Sequence, residues 1–400
     1  MRGCLVSLSL LGLLSGCSHY GLPPPHASHG HLTLAMEGYL RNKASYPWLL
    51  DAVNLGEPVP RLAETAAPAL ELDAGQAALV HEEVVRTLKG KPTEGEVVRA
   101  LEDLRAACDA GHVPACTYLD EEFQEPQRGG YRLRYPDVEK LPGGVEFAVV
   151  VLQCHIAADG QMQGCDVIED GARGFARSFI EQLGEHRFRP ATLAGHRFAS
   201  TYMFAVTCSR GGSYKYKLPL EQKMGWARLR VSRFPESPAA WTNLAVQLSL
   251  YEPQAPEYPA VIERAYALAP RARWFATEHA WRQVQAGQYA AALSAIRPAL
   301  HDSKQREHPN PYVLETAAAA HFGLKQCTEA LAAQRQAVEE LPIGWPTPER
   351  ERFEHRLQEY EAACGAASGG PRGPSGSSRS ARARSSCTSP CGPPATCSRS

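Results

Sequence analysis

Apolar residues change their spacing twice along the body of this chain. From about Leu62 to Phe123 they recur every three or four residues, most clearly over 76–88 and 94–109, which predicts helices. Over residues 131–208 the period falls to two. Residues 145–156 form a long β-rich run, Asp159-Gly160 gives a hairpin turn signal, and 165–169 reads as the return strand. Residues 175–183 then read as a helix. Residues 197–208 read as a third strand with Tyr202, Phe204 and Val206 on one face. The order is β-β-α-β, an antiparallel sheet with one helix packed across it. From Trp226 to Cys364 the spacing is helical again. Beyond Gly365 the chain is Gly, Ser, Arg and Pro with almost nothing apolar to bury, so 365–400 is expected to be a disordered tail.

The two helical parts carry repeat signatures. Ala107-Cys108-Asp109-Ala110-Gly111-His112-Val113-Pro114-Ala115-Cys116 resembles the turn of a Sel-like repeat, placing 61–126 in a helical segment of that kind. The resemblance implies that Gly111 caps one helix, Pro114 starts the next and a disulfide joins Cys108 to Cys116. Further on, Ala265 and Ala299 stand 34 residues apart, the tetratricopeptide period. Trp241-x-x-Leu244-Ala245-x-x-Leu248, then Gly287-x-Tyr289-x-x-Ala292-Leu293, then Cys327-x-x-Ala330-Leu331 resemble that family's helices, with looser spacing at the third unit. Residues 225–364 are therefore expected to form a tetratricopeptide-type solenoid with a concave binding surface.

The segment 131–210 is similar to the C-terminal domain of TonB-type energy transducers. His186-Arg187-Phe188-Arg189-Pro190-Ala191-Thr192-Leu193-Ala194-Gly195-His196-Arg197-Phe198 follows that family's W-R-F-x-P-A-x-x-x-G-x-P-V pattern. Tyr135-Pro136, Asp159-Gly160-x-Met162 and Val167-Ile168-Glu169 support it, while His186 and Arg197 depart from it. Pro190 is expected to stop the helix and Gly195 to make the turn into the third strand. The resemblance implies a domain that binds extended peptides by adding a strand to its sheet. The expected docking edge is Thr201, Tyr202, Met203, Phe204, Ala205, Val206 and Thr207. That the chain itself covers this strand remains the alternative.

The N-terminus bears on compartment. A basic start, an apolar run from Cys4 to Leu14 and then Leu14-Ser15-Gly16-Cys17 describe a secretory signal too short to span a membrane, and resemble the lipobox of bacterial lipoproteins. The resemblance implies that 1–16 is removed and that Cys17 is acylated. With Ser18 after it, the protein would be lipid-anchored in the cell envelope and periplasm-facing, at the outer membrane rather than the inner. Residues 17–60, rich in Pro, Gly and His at their start, read as a tether. The four histidines between His19 and His31 have no Cys or acid spaced with them as metal partners.

Composition narrows function further. Charged residues at 21% and apolar residues at 44% are ordinary for globular protein, and a net charge of −1 gives no general attraction to nucleic acid. Twelve cysteines in an exported chain favour disulfides over metal or catalytic thiols. If Ala158 pairs with Gln161 across the hairpin turn, Cys154 faces Cys165 and a clamp on the hairpin follows. A bulge near Gln163 is the feature that would move this register. His155 points to the opposite face, which argues against a metal site. The chain shows no G-x-S-x-G elbow, H-E-x-x-H helix, phosphate loop or C-x-x-C pair, so no catalysis, cofactor or metal is expected. Expected partners are envelope proteins. The alternative is a role in TonB-dependent transport, engaging an outer-membrane transporter peptide or motor subunits, although the family's transmembrane helix is replaced here by a lipobox. Cys208, Cys327, Cys364 and the tail cysteines stay unassigned.

Overall fold

A computed structural model describes residues 29, 32, 33, 36, 72–130, 132–134, 147–171, 174–209 and 220–368. Cys17, the signal, most of the tether, Tyr135-Pro136 and the chain beyond residue 368 lie outside the described residues. The fold is α+β, with small antiparallel sheets and a helical array.

Three helices come first: α1 (Ala74–Leu88), α2 (Glu94–Asp109) and α3 (Val113–Glu122). Capping boxes start α1 and α2. The Gln76 N–H donates to Asp73 Oδ1 while the Asp73 N–H donates to Gln76 Oε1, and Thr93 and Glu96 repeat the arrangement. Past the end of α2, Gly111 takes φ +90°, its N–H bonding Cys108 O while the His112 N–H bonds Ala107 O. Pro114 sits in the first turn of α3, and a disulfide joins Cys108 to Cys116 across this turn.

The strands follow: β1 (Phe123–Gln124), β2 (Gln127–Arg128), β3 (Phe147–Ile156) and β4 (Met162–Asp170). Next come α4 (Phe175–Gly184), β5 (Phe188–Arg189), β6 (Ala191–Leu193), β7 (His196–Phe198) and β8 (Ser200–Ser209). The main sheet has the order β4-β3-β8, all antiparallel. Phe175, Ala176, Phe179 and Leu183 form the apolar stripe of α4 and bury against Val150, Leu152, Cys154 and Ile156.

Three details differ from the sequence reading. The expected third strand is two: β7 pairs with β6 in its own small hairpin, and the chain breaks at Ala199 before β8. The Ala194-Gly195 turn, with both residues at positive φ, closes that hairpin rather than leading into the long strand. Nor does Pro190 stop the helix. α4 ends at Gly184, and β5 pairs with β2 before Pro190 is reached. Phe188 is nevertheless buried beside Tyr202, their ring centroids 5.1 Å apart. Strand β1 pairs with β6, and Ala191, Leu193 and Phe198 share a core with α1–α3. The boundary drawn between 126 and 131 therefore runs through a common core.

The array comprises α5 (Leu220–Arg233), α6 (Pro238–Tyr251), α7 (Tyr258–Leu268), α8 (Arg273–Gln285) and α9 (Tyr289–His301). It continues with α10 (Ser303–Glu307), α11 (Pro311–Gly323), α12 (Cys327–Glu339) and α13 (Thr347–Ser368). Short connections make α8–α9 and α11–α12 antiparallel pairs that pack on each other. Ala265, Ala299 and Ala337 are all buried, each on the second helix of a pair, where a small side chain lets helices approach. The short α10, set between α9 and α11, accounts for the looser third spacing. The last helix runs to Ser368, past the expected start of the tail, because Ala366 and Ala367 are strong helix formers.

Sheet and array are joined through a core. Val149, Val151, Ile168, Met203 and Ala205, on the face away from α4, pack against the cluster of α5–α8 that includes Met224, Ala227, Leu244 and Ile262. Within this contact Arg230 of α5 grips Glu169 of β4, Nε to Oε1 2.5 Å and Nη2 to Oε2 2.9 Å, and Ser237 Oγ donates to the same carboxylate at 2.9 Å. Arg271 to Asp109 (Nη1 to Oδ1 3.1 Å) and Arg306 to Asp120 tie the array to α2 and α3.

Candidate protein-binding surfaces

Strand β8 holds all seven residues expected to form a docking edge. Among the described residues it pairs with β3 alone, through ten consecutive positions from Ser200 opposite Ile156 to Ser209 opposite Phe147, without a register shift. The opposite edge differs. Strand β4 carries two register shifts against β3, and bulges of that kind blunt an edge against further pairing. Side chains of β8 alternate as the sequence implied. Tyr202, Phe204 and Val206 join the core under α4, while Met203 and Ala205 face the array. Both faces of β8 are thus held, which stiffens the strand, and among the described residues no strand pairs with its outer backbone edge.

The hairpin next to it shows how two offsets cancel. The turn pairs Ala157, not Ala158, with Gln161: the Ala157 N–H donates to Gln161 O at 2.9 Å. Gly160 supplies φ +84°, and a Cβ there would fall 2.2 Å from the Phe188 carbonyl oxygen, so only glycine fits. Gln163 then bulges, and the register returns to Cys154 opposite Cys165. The two are disulfide-bonded, their Cα atoms 3.9 Å apart, tighter than the ~4.5–5.5 Å of regular strand pairs. His155 lies on the other face, half exposed, 2.8 Å from Asp166. Alkylation of the native protein without reductant, followed by peptide mapping, is expected to leave Cys154 and Cys165 unlabelled and linked; alkylation of both would remove the clamp.

A second surface was hidden in the stretch read as a tether. His29, Leu32, Thr33 and Met36 are helical and buried, in a groove lined by α8, α11 and α13. The His29 ring stacks on Trp281 of α8, centroids 4.0 Å apart and planes 7° from parallel. Its Nε2 lies 3.0 Å from Tyr312 O and 2.8 Å from Thr316 Oγ1, while the Thr316 hydroxyl donates to Tyr312 O. That pattern makes Nε2 the protonated nitrogen of a neutral imidazole. Asn310 Nδ2 donates to Thr33 O at 3.0 Å. Leu32 and Met36 share a cluster with Tyr312, Leu341, Trp345 and Phe353. The missed signal was positional: residues 29, 32, 33 and 36 follow i, i+3, i+4, i+7, but only two of them are apolar.

Beneath the imidazole lies a closed charge network. Glu315, fully buried, receives Arg352 (Nη2 to Oε2 3.0 Å) and Arg356 (Nη1 to Oε1 3.3 Å), and Arg352 also meets Glu349 at 3.0 Å. Burial first, and then Arg352, push the His29 pKa down to about 3. Its 3.9 Å approach to Glu315 is therefore not an ion pair at neutral pH.

Among the described residues no group of three or more His, Cys, Asp or Glu is placed to hold a metal ion, and no helix is long and apolar enough to cross a membrane. His81 and His112 meet at 3.2 Å, a hydrogen bond that already occupies one nitrogen of each. No family model matches this chain, and no curated protein matches it.

Proposed function

We propose that this chain is a lipid-anchored cell-envelope protein that binds other proteins, with β8 as the edge on which a partner adds a strand. The carrying observation is the edge itself: ten residues paired on one side, free of bulges, beside a β4 edge that is bulged. Main-chain hydrogen bonds along such a strand give affinity, and alternate side-chain pockets set register. The lipobox-like Leu14-Ser15-Gly16-Cys17 supports the anchor, and three disulfides support an oxidising compartment. The TonB-like residues from His186 to Phe198 support the same mode of binding. No catalytic constellation is assigned.

A photo-crosslinking amino acid at Thr201, with Val167 on the β4 edge as control, tests this in intact envelopes. Thr201 is expected to capture an extended segment of a partner that Val167, itself half exposed, does not. Equal capture from both positions, or none from Thr201, overturns the reading. Recovery of outer-membrane β-barrel receptors or motor subunits at Thr201 places the protein in TonB-dependent transport.

A further inference from the structure

We propose that the helical array is a receptor for the chain's own stretch bearing His29, Leu32, Thr33 and Met36, and that protonation of His29 releases it. The inference does not depend on what β8 binds.

The occupant is part of the chain itself, and its fit is specific. Aromatic stacking on Trp281, two acceptors at Nε2, the Asn310 bond to Thr33 O and the burial of Met36 fix one orientation. Neutral imidazole places its one N–H, on Nε2, between the two acceptors of that site. Imidazolium is not accommodated, because every charged group facing it is already matched. From α11 comes Glu315, and from α13 come Glu349, Arg352 and Arg356: two carboxylates against two guanidiniums, all engaged with one another. From α8 comes the Trp281 ring, over which the Arg356 guanidinium already lies at 5.3 Å, while the buried Glu278 of that helix has Arg282 3.9 Å away. A proton on Nδ1 adds an uncompensated positive charge in a closed space.

A histidine at about 3 when docked and 6.5 when released favours docking fully above pH 6.5 and loses that advantage as pH falls toward 3. Between pH 7.5 and 5.0 the docking equilibrium should weaken about 30-fold, since each pH unit below the free value costs about tenfold. A stretch that leaves the groove lengthens the reach of whatever precedes it and exposes Trp281, Tyr312 and Trp345 as an apolar groove for another helix.

Hydrogen exchange of the full-length protein, corrected for intrinsic rates, reads the release directly. The peptide spanning 29–36 is expected to lose protection about 30-fold from pH 7.5 to 5.0 while peptides of α11 and α12 keep theirs. His29→Phe, which retains a ring to stack on Trp281, and His29→Gln should abolish the pH step, and His29→Phe should stay protected at pH 5.0. Unchanged wild-type protection, parallel loss in α11 and α12, or a step of the same size in both variants each overturns the proposal.

Discussion

Arg230→Ala is expected to lower the free energy of unfolding by about 3–5 kcal/mol, the range for removing one partner of a buried ion pair. Both side chains are nearly inaccessible, at 2% and 1% exposure, so water cannot screen the charge left behind. The bond is bidentate, and Ser237 completes the carboxylate's shell. With alanine at 230, Glu169 keeps a single hydroxyl donor in an otherwise apolar contact between β4 and the array. Chemical denaturation followed by circular dichroism measures the loss. The double variant Glu169→Leu, Arg230→Met is the discriminating control. Removing both charges and restoring apolar volume should recover most of the stability, because desolvation opposes the pair's own attraction. A single variant within 1 kcal/mol of wild type, or a double variant weaker than either single one, contradicts this account.

Local signals carried the helices and the hairpin. Gly111 and Pro114 were read from neighbours within a few residues and sit where local chemistry puts them, whereas the capping boxes of Asp73 with Gln76 and Thr93 with Glu96, equally local, went unread. The Cys154–Cys165 pairing was legible for a subtler reason. The turn begins one residue earlier than Asp159-Gly160 suggested, and the Gln163 bulge compensates. Strands of two or three residues, such as β5, β6 and β7, have too few positions for a period of two to show. Glu169 looked like a polar residue on an ordinary strand, because its partner lies 61 positions away and no periodicity marks it. The docked stretch was concealed by composition. Pro23-Pro24-Pro25 and the glycines around it read as linker, and the polar His29 and Thr33 do their packing through a ring face and backbone bonds.

Removing the disulfide between Cys327 and Cys364 with a double alanine variant should cost about 2–4 kcal/mol and loosen α13 before the rest of the chain. The bond closes 37 positions, the longest of the three such loops, and so removes the most freedom from the unfolded chain. It joins the first residue of α12 to the far part of α13, the last described helix. The start of α13 is held independently by the Arg352 and Arg356 pairs with Glu315, by buried Phe353 and by Gln334 Nε2 donating to Phe353 O at 3.1 Å. Its far part rests, besides the disulfide, on buried Tyr360, stacked on Phe322 at 4.2 Å, and on the Arg335–Glu361 pair. Hydrogen exchange should therefore show the far part of α13 losing protection in the variant while its start and α1–α3 keep theirs, and a uniform change across the chain would contradict the assignment. The effect stops short of the groove. Arg352 and Arg356 stand on the start of α13 and hold Glu315 beneath His29, so fraying of the far part leaves closed the charge network that makes the groove intolerant of a proton. The double alanine variant should accordingly retain the His29 stretch at neutral pH, as the disulfide-bonded protein does.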